Sequence, residues 1–134
     1  GLEAIFSPRG DVFIYSYVDQ NGRNAVLVVY RKGASKNIDN ISTLIGKCAW
    51  ANDSINIYCA VPKSWPDSAV LPDDDYKSAF SPNDNIWKIN TETGAKSVVF
   101  ENMGDVSNIG VSHDENSLIF ILENSGFLYR LNLK

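Results

Sequence analysis

The stretch AIFSPRGDVFIYSY, residues 4–17, decides the fold. It reads as two short strands joined by the turn Ser7-Pro8-Arg9-Gly10, where proline presets φ and glycine is free to take a positive φ. Two degenerate copies follow: CAWANDSINIYCAV at 48–61 and IGVSHDENSLIFIL at 109–122. Each copy has an apolar or aromatic residue before its turn (Phe6, Trp50, Val111) and another seven positions on (Phe13, Ile57, Leu118).

Outward from these hairpins the chain divides into three units. In the first, strands are expected at 2–6, 12–17 and 25–31, with Asn21-Gly22 as a hairpin signal. Residues 32–35 then turn the chain toward a weak fourth strand within 37–42. The second unit, 43–102, has strands at 44–50 and 55–61, resumes at 85–90, and ends with a turn at 91–94 and a strand at 96–101. Between its second and third strands lies an insertion, 62–84, with four prolines and the run Asp73-Asp74-Asp75. The third unit, 103–134, has strands at 106–111, 117–122 and 127–133, and its fourth strand is missing.

The composition agrees. The 134 residues suffice for one domain with a core, and 44% are apolar. Val, Ile, Tyr, Phe and Trp are frequent, which favours an all-β chain. A net charge of −4 with no Lys/Arg cluster argues against nucleic acid as a partner. No apolar run reaches the roughly 18 residues that span a bilayer, and the opening GLEAIFSPRG has no signal-peptide pattern.

The strands do not alternate cleanly. Phe13, Tyr15 and Tyr17 lie on one side of the second strand, and Val12 and Ile14 on the other. A sheet apolar on both faces must be covered on both faces. Radially stacked four-stranded sheets achieve this, each sandwiched by its neighbours. The spacing of 44 residues from Phe6 to Trp50 suits one propeller blade, and 61 from Trp50 to Val111 suits a blade carrying the insertion. The expected fold is therefore three four-stranded antiparallel blades of a β-propeller, the last lacking its outer strand.

FSPRGDVFIYSY resembles the "FSPDG…IAY" hairpin of TolB-type, WD-like β-propeller repeats. DNIWKINTETGAKSVV, residues 84–99, is similar to the third strand, turn and fourth strand of such a blade, and SGFLYRLNLK to that third strand again. The sequence departs from the pattern in two turns, Ala51-Asn52-Asp53-Ser54 and Ser112-His113-Asp114-Glu115, which lack Pro and Gly and are expected to differ in conformation. Three blades do not close a ring, so the resemblance implies the C-terminal part of a larger propeller. The rival is a homodimer of two three-blade chains. The resemblance also implies a periplasmic or cell-surface setting, with a cytoplasmic one left open.

The leading functional expectation is a non-catalytic scaffold that binds a protein or peptide through the 62–84 insertion. Trp65, Tyr76 and Phe80 there are of types enriched at interface hot spots. The equal alternative is that these rings pin the loop to its own blade. Asp73, Asp74 and Asp75, near Asp67 and Asp84, lack calcium-loop spacing and read as a solvated acidic loop. Residues 19–24 read as a hairpin turn, and His113, the one histidine, as a solvated turn residue. Asn40-Ile41-Ser42 and Asn52-Asp53-Ser54 match the N-glycosylation pattern, which matters only in a secreted eukaryotic protein. No cofactor or metal is expected. Cys48 and Cys59 sit opposite if their turn is Asp53-Ser54, and are offset by roughly 7–8 Å if it spans 51–54. Two buried thiols are the simpler expectation, with a disulfide as the alternative. Two other functions remain: a propeller gating a hydrolase domain outside this chain, and carbohydrate binding by stacking on Trp65 and Tyr76.

Overall fold

The computed structural model describes residues 3–18, 25–62, 83–101, 103–123 and 125–133. These form eleven strands in three antiparallel sheets. Blade 1 comprises β1 (Glu3–Phe6), β2 (Val12–Val18), β3 (Ala25–Arg31) and β4 (Ala34–Ile38). Blade 2 comprises β5 (Cys48–Trp50), β6 (Asn56–Pro62), β7 (Asp84–Asn90) and β8 (Lys96–Phe100). Blade 3 comprises β9 (Val106–Val111), β10 (Ser117–Leu122) and β11 (Leu128–Asn132), with no fourth strand among the described residues. Each sheet is a meander in sequence order.

The three β1-type hairpin turns share one conformation, correcting the expectation that they differ. Their closing amides are Ser7 to Val12, Ala51 to Asn56 and Ser112 to Ser117. The inner bonds, Gly10 to Ser7, Ser54 to Ala51 and Glu115 to Ser112, are equivalent too. The fourth turn residue takes φ of 77°, 60° and 61° in Gly10, Ser54 and Glu115. The closing ladder on each side fixes this geometry, so glycine is not required for it.

That geometry also corrects the expectation for the cysteines. The second turn is centred on Asp53-Ser54, so Cys48 lies directly opposite Cys59, with Cα atoms 4.1 Å apart, and the two form a disulfide. Two further strands differ from expectation. Arg31 pairs with Ala34, so only Lys32 and Gly33, both at positive φ, make the turn, and β4 begins at 34 rather than 37. Residues Ile45–Lys47 form a 3-10 turn instead of the start of a strand at 44. Pro62 and Asp84, expected in the insertion, are themselves a strand pair.

The core lies between the sheets. Val12, Ile14, Leu27 and Val29 of blade 1 pack on Trp50, Ile57, Cys59 and Ile89 of blade 2. On the other side of blade 2, Tyr58, Ala60 and Ile86 meet Leu118, Phe120 and Val106 of blade 3. Ile14, Leu27, Ile57, Ile86 and Leu118 have no solvent exposure. Blade 2 is thus covered on both faces, and blades 1 and 3 each on the face turned toward it, while Phe6, Tyr17 and Tyr30 of blade 1 and Leu128 of blade 3 are exposed.

Candidate functional site

Antiparallel order divides the loops between two ends of the blades. The β1-type and β3–β4 turns lie at one end. The β2–β3 type connections, the inter-blade connections and the roots of the insertion lie at the other. At this second end of blade 2, three charged side chains converge below the insertion.

Lys47 arrives from the 3-10 turn, Asp84 from the first residue of β7, and Asp105 from the residue before β9. The Lys47 Nζ donates to Asp84 Oδ2 at 2.7 Å and to Asp105 Oδ1 at 3.0 Å. The Val106 amide donates to Asp84 Oδ2 at 2.9 Å. The Asp84 backbone joins the same junction: its amide donates to the Gly104 carbonyl, and its carbonyl accepts from the Met103 amide. The Glu123 amide donates to the Asp105 carbonyl, tying in the end of β10. This cluster clamps the start of β7 to the incoming strand of blade 3.

One ammonium faces two carboxylates in a buried place. Burial alone would lower the Lys47 pKa, but Asp84 and then Asp105 outweigh it and hold it raised. For Asp84 burial is the larger effect, and lifts its carboxyl to about 6 against the pull of Lys47 and the Val106 amide. Asp84 is fully buried, and its Oδ1 has no hydrogen-bond partner among the described residues. The cluster is a structural clamp. No grouping of three or more metal-ligating side chains occurs among the described residues.

Of the sequence-derived site residues, Trp65, Asp73, Asp74, Asp75, Tyr76 and Phe80 lie outside the described residues. The roots of their segment are described: Pro62 ends β6 opposite Asp84, so the intervening chain leaves and returns at one point on the blade end. The turn at 19–24 also lies outside the described residues. His113 is exposed in its turn, and its carbonyl accepts from the Asn52 side-chain amide. Sequence reasoning took Asp84 for part of an acidic loop and missed Lys47 and Asp105. Lys47 sits in an apolar run with nothing nearby in sequence to pair with, and its partners are 37 and 58 residues away.

At the opposite end the turns stitch the blades together. Ser54 Oγ accepts from the Arg9 amide at 3.1 Å, and Glu115 Oε1 from the Asn52 amide at 2.7 Å. The residues that replace glycine at the positive-φ position thus bind the turn of the preceding blade.

No family model and no curated protein matches this chain. Solved structures do. TolB from Acinetobacter baumannii aligns with a TM-score of 0.66 at 12% identity, over 99% of this chain and 30% of that one. A protein from Agrobacterium tumefaciens described as a TolB aligns at 0.65 and 12% identity, over 98% of this chain and 42% of that one. Hydrazine synthase from Kuenenia stuttgartiensis aligns at 0.65 and 14% identity, over 97% and 39%. The chain has the TolB-type propeller fold, and it spans less than half the length of these neighbours. Some of the solved neighbours are described as enzymes, so the fold does not decide between scaffold and catalyst.

Proposed function

We propose that this chain is a propeller segment that binds a protein or peptide partner through the insertion at 62–84, without catalysis of its own. The observation that carries this reading is the root of the insertion. Pro62 and Asp84 pair directly, and Asp84 is held by Lys47 and by the Val106 amide. The equivalent connection in blade 1, between Val18 and Ala25, spends six residues, 19–24. A long segment on a rigid root is a common way for a scaffold to present recognition residues. Trp65, Tyr76 and Phe80 are the anchors, and Asp73, Asp74 and Asp75 give the contact an acidic rim that favours a basic partner surface.

The setting we propose is periplasmic or at the cell surface. The Cys48–Cys59 disulfide supports it, because such bonds persist in oxidising compartments. The test replaces 63–83 by Asn-Gly, which joins β6 to β7 as a two-residue hairpin. The shortened chain is expected to keep its thermal midpoint and to lose the proteins that the unaltered chain captures from an extracytoplasmic extract of its source. Capture of the same proteins, or collapse of the fold, would refute the reading. A second reading, a propeller that gates a catalytic domain outside this chain, draws on the enzymes among the solved neighbours. A nucleophile elbow encoded in flanking sequence would favour it.

A further inference from the structure

The seam between blades 1 and 2 changes character at the outer strands. Along β3, β6 and β7 both sides of it are apolar and buried, with Leu27 and Val29 against Ile57 and Ile89. On the outer strands each side carries a lysine. Lys36 of β4 is the cross-strand partner of Val29, and Lys96 of β8 is the partner of Ile89. Directly paired residues share a face of the sheet, so the two side chains enter the seam from opposite walls. The Lys36 Nζ reaches across it, to 3.9 Å from where a Cβ on Gly94 of blade 2 would stand. The seam opens there into a cleft of about 180 Å³, with Val29, Ile38, Asp39 and Thr93 also in its lining. It lies at the end of β7 away from the roots of the insertion.

Neither lysine has a hydrogen-bond or ion-pair partner among the described residues. The acid of the adjoining turn, Glu92, is engaged by Arg31, whose guanidinium also donates to the Thr91 hydroxyl. The turn amides are occupied as well. Glu92 and Thr93 donate to Asn90 Oδ1, Gly94 to the Asn90 carbonyl and Ala95 to Thr93 Oγ1. The cleft therefore offers two ammoniums on facing walls, the Asp39 carboxylate, the proton of the Thr93 hydroxyl and a buried apolar floor of Val29 and Ile38. Two like charges that face each other repel, and an anion between them removes that repulsion and gains two charge-assisted hydrogen bonds. A bare inorganic anion answers only the lysines and meets the charge of Asp39. A carboxylate answers the lysines, hydroxyls on its carbon chain donate to Asp39 and accept from Thr93, and the chain itself lies on the apolar floor. The volume is below the roughly 300–1,000 Å³ of pockets that hold drug-sized ligands, so the molecule is small. We propose that this cleft binds a small hydroxy acid, a reading that does not draw on the insertion at 62–84.

The test follows backbone amides by nitrogen–proton correlation NMR while tartrate is titrated into the chain. Succinate keeps the carbon chain and both carboxylates but has no hydroxyl, erythritol keeps the hydroxyls without the carboxylates, and inorganic phosphate supplies charge alone. Tartrate is expected to shift the amides of 36–39 and 91–96 saturably, at lower concentration than succinate or phosphate, and erythritol to leave them in place. Lys36→Gln and Lys96→Gln are each expected to weaken tartrate binding about tenfold, the loss of one charged hydrogen bond. Lys36 is exposed and Lys96 half-buried, so both variants fold, which their thermal midpoints check. Asp39→Ala is expected to erase the preference for tartrate over succinate. Equal affinity for tartrate, succinate and phosphate would mean a general attraction of anions and overturns the proposal. Tartrate binding that survives both lysine substitutions overturns it too, as do shifts that fall outside the cleft, fail to saturate or do not occur.

Discussion

Gly10, Ser54 and Glu115 occupy the same backbone position with different chemistry. At Gly10 an added Cβ would meet nothing within 4 Å, so the cost of Gly10→Ala is purely conformational. It is expected to lower stability by about 1 kcal/mol, read as a shift in the urea midpoint. Ser54→Gly removes the positive-φ cost but also the acceptor of the Arg9 amide, two effects of similar size, and leaves stability nearly unchanged. Asp84 gives the second prediction at this scale. Its carboxyl titrates at about 6 in the folded chain against an ordinary 3.8. The folded state therefore holds an extra proton between those values. The corresponding stability is full below pH 4 and is lost as pH rises through 6, a total on the order of 3 kcal/mol. Burial alone would raise Asp53, but the Asn56 and Ile55 amides hold it low, and the Ser112 hydroxyl holds Asp114 at about 2, so both act below pH 4. Urea midpoints from pH 4 to 7 should fall for the unaltered chain and stay flat for Asp84→Asn. A flat profile in both would show that Asp84 is ionised throughout.

Among the elements, the hairpins were legible in the sequence because turn chemistry and apolar spacing coincide in all three copies. Their register was not. Moving the second turn by a single residue decides whether Cys48 faces Cys59, and the letters Ala-Asn-Asp-Ser do not choose. The choice is made by the Asp53 carboxylate, which accepts from the Ile55 and Asn56 amides and centres the turn on Asp53-Ser54. The 3-10 turn Ile45–Lys47 was illegible for another reason. Leu44 and Ile45 favour strand, and the turn exists because Lys47 reaches Asp84 and Asp105, which come from distant parts of the chain. The candidate site was legible only as an insertion, since the clamp at its root is assembled by tertiary contacts. The disulfide yields a prediction here. Cys48 and Cys59 are 11 residues apart and nearly sealed from solvent at 7% and 0% exposure. The folded chain should resist thiol reagents and reductant alike, whereas Cys48→Ser with Cys59→Ser should cost about 2–3 kcal/mol in a denaturant titration. Two thiols that label without denaturant would refute the pairing.

In the molecule as a whole, each sheet is stabilised mainly by its neighbours, as in other stacked repeats, so stability is unevenly spread. Blades 1 and 2 share one continuous cluster of thirteen buried residues among those described, reinforced by the disulfide. Blade 3 meets blade 2 through two smaller clusters, with four and three buried residues. Its last strand is an open edge on which Leu128 and Tyr129 are exposed. Besides backbone bonds at the junction and the contacts between the turns, what fastens blade 3 is the Lys47–Asp84–Asp105 clamp at the start of β9. Hydrogen exchange followed by mass spectrometry should therefore rank the blades. Amides of β6 and β7 are expected to exchange slowest, those of β2 and β3 next, and those of β9 to β11 fastest. Lys47→Met leaves two buried carboxylates without their cation, a loss of about 3–5 kcal/mol where such a pair is broken. That loss should speed exchange in blade 3 far more than in blade 1, because β9 is bonded to the Asp84 carboxylate of the clamp itself, while blade 1 meets only the turn that carries Lys47, through Ser16 and Ile45. Uniform acceleration across all three sheets would mean that the chain opens as one cooperative unit, and the stacked-repeat account of its stability would fail.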